Sequence, residues 1–268
     1  MKVSVIMGVY NPNGEHLLRA VNSIAGQTLT DWELIICDDG SDVSYHELYQ
    51  NIATADERIT LIKNTGNYGL AYALNQCLSI AKGEYIARTD ADDIAKVDRL
   101  EKQCKFLDRH RVYQWVGSNA ELIDENGVWG LGKREAIPSR KTFLKHSPYI
   151  HPSVLFRADI LKANGGYKVR KETLRCEDYE LFMRLTQRGL QGYNLQECLL
   201  QYREDRQSYD RRKYYYYILE MKVRYNGFKG LGILNIITMA YVLKPLVVGL
   251  VPTKMMQRYR KAINKNGC

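Results

Sequence analysis

The first 120 residues alternate short apolar runs with segments whose apolar residues recur at helical spacing. Leu70, Leu74 and Leu78, for example, lie about one helical turn apart and predict a helix that ends near Gly83. Strands that alternate with helices in this way are typical of an α/β domain, in which helices flank a mostly parallel sheet. The apolar runs predict strands at 3–9, 33–37, 59–62, 84–88 and 112–116.

Polar clusters directly follow three of these predicted strands. Tyr10 comes after the first, Asp38-Asp39-Gly40-Ser41 comes at the end of the second, and Asp90-Ala91-Asp92-Asp93 comes after the fourth. Because parallel sheets place their chemistry in loops at the carboxyl ends of strands, the three clusters are expected at one edge. The sequence therefore predicts a binding site along that edge.

The acidic run at 90–93 is the sharpest of these clusters. Three carboxylates in four residues repel one another unless a cation neutralises them, and Mg²⁺ or Mn²⁺ prefers oxygen ligands of this kind. One carboxylate can then reach the metal while another binds a ribose hydroxyl. The alternative is a solvated acidic turn in which Asp92 or Asp93 caps a helix that begins near Lys96.

Three further positions each admit two interpretations. Asp38 or Asp39 can accept hydrogen bonds from a base or ribose, or can serve only the turn at Gly40. Glu177-Asp178 opens a predicted helix at 177–188 and offers either a general base or a cap of the helix N-terminus. His151 opens a predicted strand at 151–156 and is either structural or a metal ligand.

The excess positive charge lies entirely near the C-terminus. The formal net charge is +9, and the segment after Glu220 contains nine Lys and Arg residues but no acidic residue, so residues 1–220 are neutral overall. The segment 233–251 is apolar but contains Asn235, Lys244 and Pro245, so it is not a clean spanning helix. Apolar and basic residues together predict a helical tail on the inner face of the cell membrane. The alternative is a helix packed on the domain or at an oligomer interface.

Several other classes of protein are disfavoured. The six cysteines form no CxxC pair, which favours buried thiols in a reducing cytoplasm. The N-terminal apolar run is too short for a signal peptide. The basic and tyrosine-rich stretch 203–217 contains Glu204, Asp205 and Asp210 and no nucleic-acid-binding motif, so we expect no nucleic-acid partner.

Taken together, the motifs resemble family 2 glycosyltransferases of the GT-A fold, and in particular bacterial enzymes of capsular, exopolysaccharide and O-antigen synthesis. The similarity covers residues 2–205. It rests on VSVIMGVYN at 3–11, WELIICDDGS at 32–41, NYGLAYALN at 67–75, GEYIARTDADD at 83–93, HPSV at 151–154 and EDYEL at 177–181. The resemblance implies a catalytic domain at 1–205, with a nucleotide-binding half at 1–110 and an acceptor-binding half at 111–205. A basic and apolar helical region follows at 206–268.

The resemblance also implies roles for individual residues. Tyr10 stacks on the nucleotide base, Asp39 binds the base with Asp38 close by, and Asp178, or else Glu177, is the catalytic base. Asp92 and Asp90 belong to the metal site, with Asp90 also near the ribose, and His151 is the further candidate ligand. The remaining residues implied in the nucleotide-sugar pocket are Val9, Asn67, Gly69, Arg88 and Ala91.

The implied activity is inverting transfer of one sugar from a nucleotide diphosphate, with UDP the expected nucleotide, to a lipid-linked saccharide. No Gln-x-x-Arg-Trp sequence follows the Glu-Asp pair, and processive members of the family usually have one, so the chain resembles the non-processive members. Gly8 stands where many relatives carry proline, which loosens the first loop but removes no functional group. The alternative is a regulatory binding protein on the same scaffold. Such a protein would have no need of the carboxylates of Asp90, Asp92, Glu177 and Asp178.

Overall fold

The computed structural model describes residues 1–205 and 213–265. These residues form one nine-stranded sheet with helices on both faces. The strands are β1 (Val3–Val9), β2 (Trp32–Asp38), β3 (Ile59–Lys63), β4 (Tyr85–Arg88), β5 (Ile94–Ala95), β6 (Trp115–Asp124), β7 (Gly127–Gly132), β8 (Leu155–Arg157) and β9 (Gly192–Arg203).

The helices fall into a group within the sheet domain and a group after it. Short 3₁₀ turns at Val43–Tyr45, Arg140–Leu144, His151–Ser153 and Lys171–Thr173 connect some of these elements. The α-helices are α1 (Gly14–Ala25), α2 (His46–Ala55), α3 (Leu70–Ile80), α4 (Arg99–Arg109), α5 (Ala158–Ala163), α6 (Glu177–Gln187), α7 (Tyr214–Gly230), α8 (Met239–Val248) and α9 (Thr253–Lys265).

The strand order is β3-β2-β1-β4-β8-β6-β9-β5, and β7 pairs with β6. The first four strands are all parallel, so β1, β2 and β4 end at the same edge. Beyond them β8 runs antiparallel to both of its neighbours, whereas β6 and β9 form a long parallel pair. The prediction of an α/β fold with a mostly parallel sheet is confirmed, and its parallel edge positions the site.

The core lies on both faces of the sheet. Ile6 and Ile35 point into one apolar layer, which includes α3, α6 and part of α7. Val5 and Leu34 point into the opposite layer, against α1, α2 and α4. Because both faces are covered, the central strands read as continuous apolar runs rather than as an alternating pattern.

Two predicted strands are shifted. The strand expected at 112–116 begins only at Trp115, because residues 110–113 form a turn after α4, with the Tyr113 N–H donating to the His110 carbonyl (3.2 Å). In the segment 151–156, residues His151–Ser153 form a 3₁₀ turn and the strand begins at Leu155. Pro152 has no N–H to donate to a sheet, which explains that delay.

The region after the sheet domain is helical, as expected. In α8, Val242 is buried against α7 and the domain, whereas Leu243 and Val247 are exposed. In α9, Lys261 pairs with Asp124 (2.7 Å). Within residues 1–205 and 213–265, no helix has the length and apolar character to cross a bilayer. The stretch at 206–212 and Cys268 lie outside the described residues.

Candidate active site

The loops after β1 and β2 are tied together at the parallel edge. The Asn11 N–H donates to Ser41 Oγ (2.9 Å), and the Asp42 N–H donates to Asn11 Oδ1 (2.9 Å). Asn11 has a φ of 43°, in the left-handed region that asparagine tolerates better than most residues. This arrangement leaves the neighbouring Tyr10 half exposed at the edge, where its ring is open to a ligand.

Asp39 fixes the loop that precedes α3. One carboxylate oxygen accepts hydrogen bonds from Asn64 Nδ2 (2.7 Å) and the Tyr68 N–H (3.1 Å), and the other accepts from the Gly69 N–H (2.7 Å). The Asp39 N–H in turn donates to the carbonyl of Val9, the last residue of β1. A single buried carboxylate therefore joins three of the segments that were predicted to form the nucleotide pocket.

Asp38 and Gly40 complete this turn. Asp38 is buried, accepts a hydrogen bond from the Ser41 N–H (2.8 Å) and lies 3.7 Å from Lys63 Nζ. Gly40 has a φ of 80°, and a Cβ there would lie 2.6 Å from the backbone of Gly66. Asn67, next to that contact, is exposed. The turn is thus tight enough to require glycine, and it presents Asn67 to solvent.

Arg88 is a buried cation at the end of β4. Its guanidinium group contacts both carboxylate oxygens of Asp90, with Nη1 2.5 Å from Oδ2. Arg99 donates to the Arg88 carbonyl (2.8 Å) and holds this backbone in place. The two-point pairing orients Asp90, so Arg88 acts on the site through that carboxylate.

Asp90, Asp92 and Asp93 form the acidic cluster. Each offers a carboxylate oxygen within 4.8 Å of the others. Removal from water, reinforced by the Asp90 charge, raises the pKa of Asp92 to about 6 and also raises that of Asp93. Asp93 accepts from the Arg203 N–H (2.8 Å), but its other oxygen is buried and makes no hydrogen bond to any described residue.

This donor set fits a hard divalent cation, because a cation relieves the repulsion and satisfies the unpaired oxygen. Ala91 separates the first two carboxylates without adding a ligand. The alternative in which Asp92 or Asp93 caps the following helix is wrong, since α4 begins at Arg99 after Asp98.

The two candidate bases lie in the first turn of α6. Glu177 is buried and one of its carboxylate oxygens accepts from the Arg175 N–H (3.1 Å). Asp178 is half-buried and lies near the side chain of Ser147, whose hydroxyl donates to the Tyr149 carbonyl (3.3 Å). Removal from water raises the pKa of both carboxyl groups, and the charge of Arg88 partly opposes this at Asp178. A raised pKa makes a carboxylate a better proton acceptor.

His151 is buried and lies within electrostatic reach of Arg88. Its Nε2 is 2.8 Å from the hydroxyl of Tyr167. Burial, together with the Arg88 charge, lowers the pKa of His151 well below 6.5, so the ring is neutral. Among the described residues, the carboxylate cluster of Asp90, Asp92 and Asp93 does not include this histidine. Its role as a metal ligand stays a prediction.

Residues that were not predicted complete the surroundings. Tyr167 holds His151, the Arg203 backbone binds Asp93, and Arg134 lies in the electrostatic environment of Asp178. Burial lowers the pKa of Arg134 to about 10, and its Nε makes no hydrogen bond within the described part of the chain. No local pattern marks these three residues, because each reaches the site through contacts distant in sequence.

Comparison with known proteins points to one family. The model of Glycosyl transferase family 2 matches residues 4–165. EpsE of Bacillus subtilis, provisionally named a glycosyltransferase, is 40% identical over 97% of this chain and 93% of its own length. The UDP-Gal:alpha-D-GlcNAc-diphosphoundecaprenol beta-1,3-galactosyltransferase of Escherichia coli is 31% identical over 96% of this chain and 98% of its own length.

A solved structure shares the fold. The crystal structure of S. aureus TarS 1–349 in complex with UDP-GlcNAc covers 93% of this chain and 72% of that one, with a TM-score of 0.67 and 18% identity. At 18% identity the likeness bears on the fold alone, and it confirms the GT-A architecture expected from the sequence.

Proposed function

Because the chain belongs to glycosyl transferase family 2 and is a glycosyltransferase, we propose that it transfers single sugars, with inversion, from a UDP-sugar to a lipid-linked saccharide. The observation that carries this proposal is the acidic cluster beside Arg88, at the same sheet edge as Tyr10 and Asp39. Binding of a nucleotide diphosphate requires an aromatic and polar site for the base. It also requires oxygen ligands for a cation that binds the phosphates.

In this proposal the half at 1–110 holds the donor. Tyr10 stacks on the base, and Asp39 binds the base and also fixes Gly69 in the loop that carries Asn67. The polar edge of the base meets the turn that contains Asp38. Val9 contributes backbone to this pocket, and Ala91 contributes backbone next to the cluster.

Asp90 and Asp92 hold Mg²⁺ or Mn²⁺ in this proposal, with His151 a further candidate ligand. The ion, when bound, stabilises the charge that develops on the departing diphosphate. Arg88 keeps the Asp90 carboxylate directed into the cluster.

The half at 111–205 binds the acceptor and supplies the base. Asp178, or else Glu177, takes the proton from the acceptor hydroxyl as that oxygen attacks the anomeric carbon. The sugar–phosphate bond breaks on the opposite side, so a single displacement inverts the anomeric centre. Asp178 lies in the first turn of α6, where the helix dipole stabilises its ionised carboxylate.

The tail is proposed to bind the inner face of the cytoplasmic membrane. Met255, Tyr259 and Ile263 are exposed and lie four residues apart, on one face of α9, and Lys254 and Arg258 are exposed on the same helix. An exposed apolar stripe beside cations suits an anionic lipid surface. Such attachment would bring the enzyme to a lipid-linked acceptor.

Sedimentation with lipid vesicles tests the membrane proposal. We expect binding to vesicles with anionic headgroups, and weaker binding when Met255, Tyr259 and Ile263 are all replaced by serine. Equal recovery of both proteins in the supernatant at low salt would contradict the proposal.

Thermal unfolding with a panel of nucleoside diphosphates, each with and without Mn²⁺, tests the donor site. A ligand at 100 times its dissociation constant stabilises the native state by about 2.7 kcal/mol. We expect this stabilisation with UDP and Mn²⁺ together, and we expect Asp92→Asn to abolish the metal-dependent part. Glu125→Gln, at an exposed carboxylate, is the matched control. Absence of stabilisation by any nucleotide would remove the basis for a donor site.

A further inference from the structure

A pocket of about 240 Å³ lies between the two halves of the proposed site. Its walls include Tyr68 and Gly69, from the loop fixed by Asp39, and Glu177 from the start of α6. The third wall is formed by the 3₁₀ turn at Lys171–Thr173 and the residues before it. Pockets for a complete ligand measure about 300–1,000 Å³, so this volume suits one group of a larger substrate.

Two cations that line this pocket have no carboxylate partner within residues 1–205 and 213–265. Lys168, nearby, pairs with Glu180 at 2.6 Å. Arg170 and Lys171, by contrast, are exposed and form no ion pair with any described residue. Adjacent unpaired cations attract a group with more than one negative charge, and arginine matches phosphate oxygens at two points.

An apolar path leads away from these cations. Lys171 Nζ lies 5.9 Å from the ring centre of Tyr215, which is partly exposed on α7. On the same helix Tyr214 donates to the Leu246 carbonyl of α8 (3.5 Å). Beyond that contact α8 exposes Val247 to solvent. Tyr214 and Tyr215 are adjacent in α7, so this helix connects the cationic pocket with the exposed apolar side of α8.

We propose that Arg170 and Lys171 bind the diphosphate of a lipid-diphosphate-linked acceptor, with the lipid chain leaving along α7 and α8. The inference rests on the proposed function, because the donor's own diphosphate is assigned to the acidic cluster. A separate site, made of cations, then serves the second diphosphate. The acceptor's sugar would lie on the side of the pocket formed by Glu177, next to Asp178.

The test measures binding of farnesyl diphosphate, a short isoprenoid diphosphate, by calorimetry of the full chain saturated with UDP and Mg²⁺. We expect wild type to bind it, and the double variant Arg170→Gln/Lys171→Gln to bind it at least about tenfold more weakly, since charge-assisted hydrogen bonds are lost. The affinity for UDP should stay unchanged. Arg109→Gln/Arg111→Gln removes two exposed charges elsewhere and should leave both affinities unchanged.

Several results would overturn the inference. Weaker UDP binding in the Arg170/Lys171 variant would show that these cations serve the donor. Equal binding of farnesol and farnesyl diphosphate would reduce the site to an apolar surface, and an equal loss in the control variant would indicate general charge attraction. Failure of wild type to bind farnesyl diphosphate while UDP and the metal still stabilise it would reject this inference and leave the proposed donor site standing.

Discussion

The two halves of the sheet domain build their parts of the site in different ways. In residues 1–110, Tyr10, Asp39 and Asp90 each stand one or two residues after a strand of the parallel sheet. In residues 111–205, Asp178 lies in the first turn of α6, and the residues that act on its carboxyl group include Ser147, 31 residues away in the chain. The first half is thus organised by strand ends, and the second by packing of segments distant in sequence.

This difference predicts how substitutions in one half should affect the other half. Strand ends are fixed by the whole sheet, so the donor side should tolerate changes on the acceptor side. Arg88 is the exception, because it pairs with Asp90 and also exerts its charge on Asp178 and His151.

The largest expected effect comes from replacing the candidate base, because this change should impair sugar transfer and leave donor binding intact. Asp178→Asn should lower the rate of sugar transfer by about 10²–10⁴-fold, the typical contribution of a general base, while stabilisation by UDP and Mn²⁺ persists. Steady-state transfer and thermal unfolding of the same preparation measure the two quantities. Glu177→Gln is the comparison that decides between the neighbouring carboxylates. If Asp178→Asn also loses nucleotide binding, the division of labour between the halves is wrong.

A second substitution tests the link between them. Arg88→Met removes the buried cation that pairs with the partly exposed Asp90 and should lower the free energy of unfolding by about 1.5–3 kcal/mol, the range for hydrogen bonds to charged groups. Urea denaturation measures this, with the exposed Arg109→Met as the control. A loss no larger than the control's would mean that the halves are stabilised independently of Arg88.

The smallest expected effect is a pH dependence to which Asp92 of the donor half contributes. The folded-state pKa of Asp92 is about 6, above its usual value of 3.8, so between these values the metal-free native state holds a proton that the unfolded chain has lost. Stability without metal should therefore fall as pH rises through this window. Metal binding displaces the proton, so the stabilisation by UDP and Mn²⁺ should weaken as pH falls below about 6. Thermal unfolding from pH 4 to 8 measures both trends, and Asp92→Asn should reduce the first, while the raised pKa values of Asp93, Glu177 and Asp178 maintain the rest.

The sequence predicted the first half well for a physical reason. Strands buried on both faces read as unbroken apolar runs, and the residues after Val9, Asp38 and Arg88 are displayed at one edge by the parallel topology alone. The resemblance to a family added roles that spacing could not provide.

The site residues of the second half were harder to predict from the sequence, because the contacts that fix them follow no periodic pattern. Tyr167 reaches His151 from a loop, and Arg203 reaches Asp93 from the last residue of β9. The expected strand at 151–156 was only partly correct, since Pro152 directs a 3₁₀ turn that no apolar pattern reveals. Residues of this kind are fixed only when the chain has folded.

The hydrogen bond from Arg203 to Asp93 has a consequence for biosynthesis. Its two residues are separated by 110 positions, so the ribosome finishes the acidic run long before its backbone donor exists. At about 5–20 residues per second, the delay is roughly 5–20 s. A nascent chain therefore carries its complete acidic run well before the pairing of β9 fixes Asp93. We expect metal affinity to develop late in translation. The carboxylates would then be synthesised well before the chain can act on a substrate.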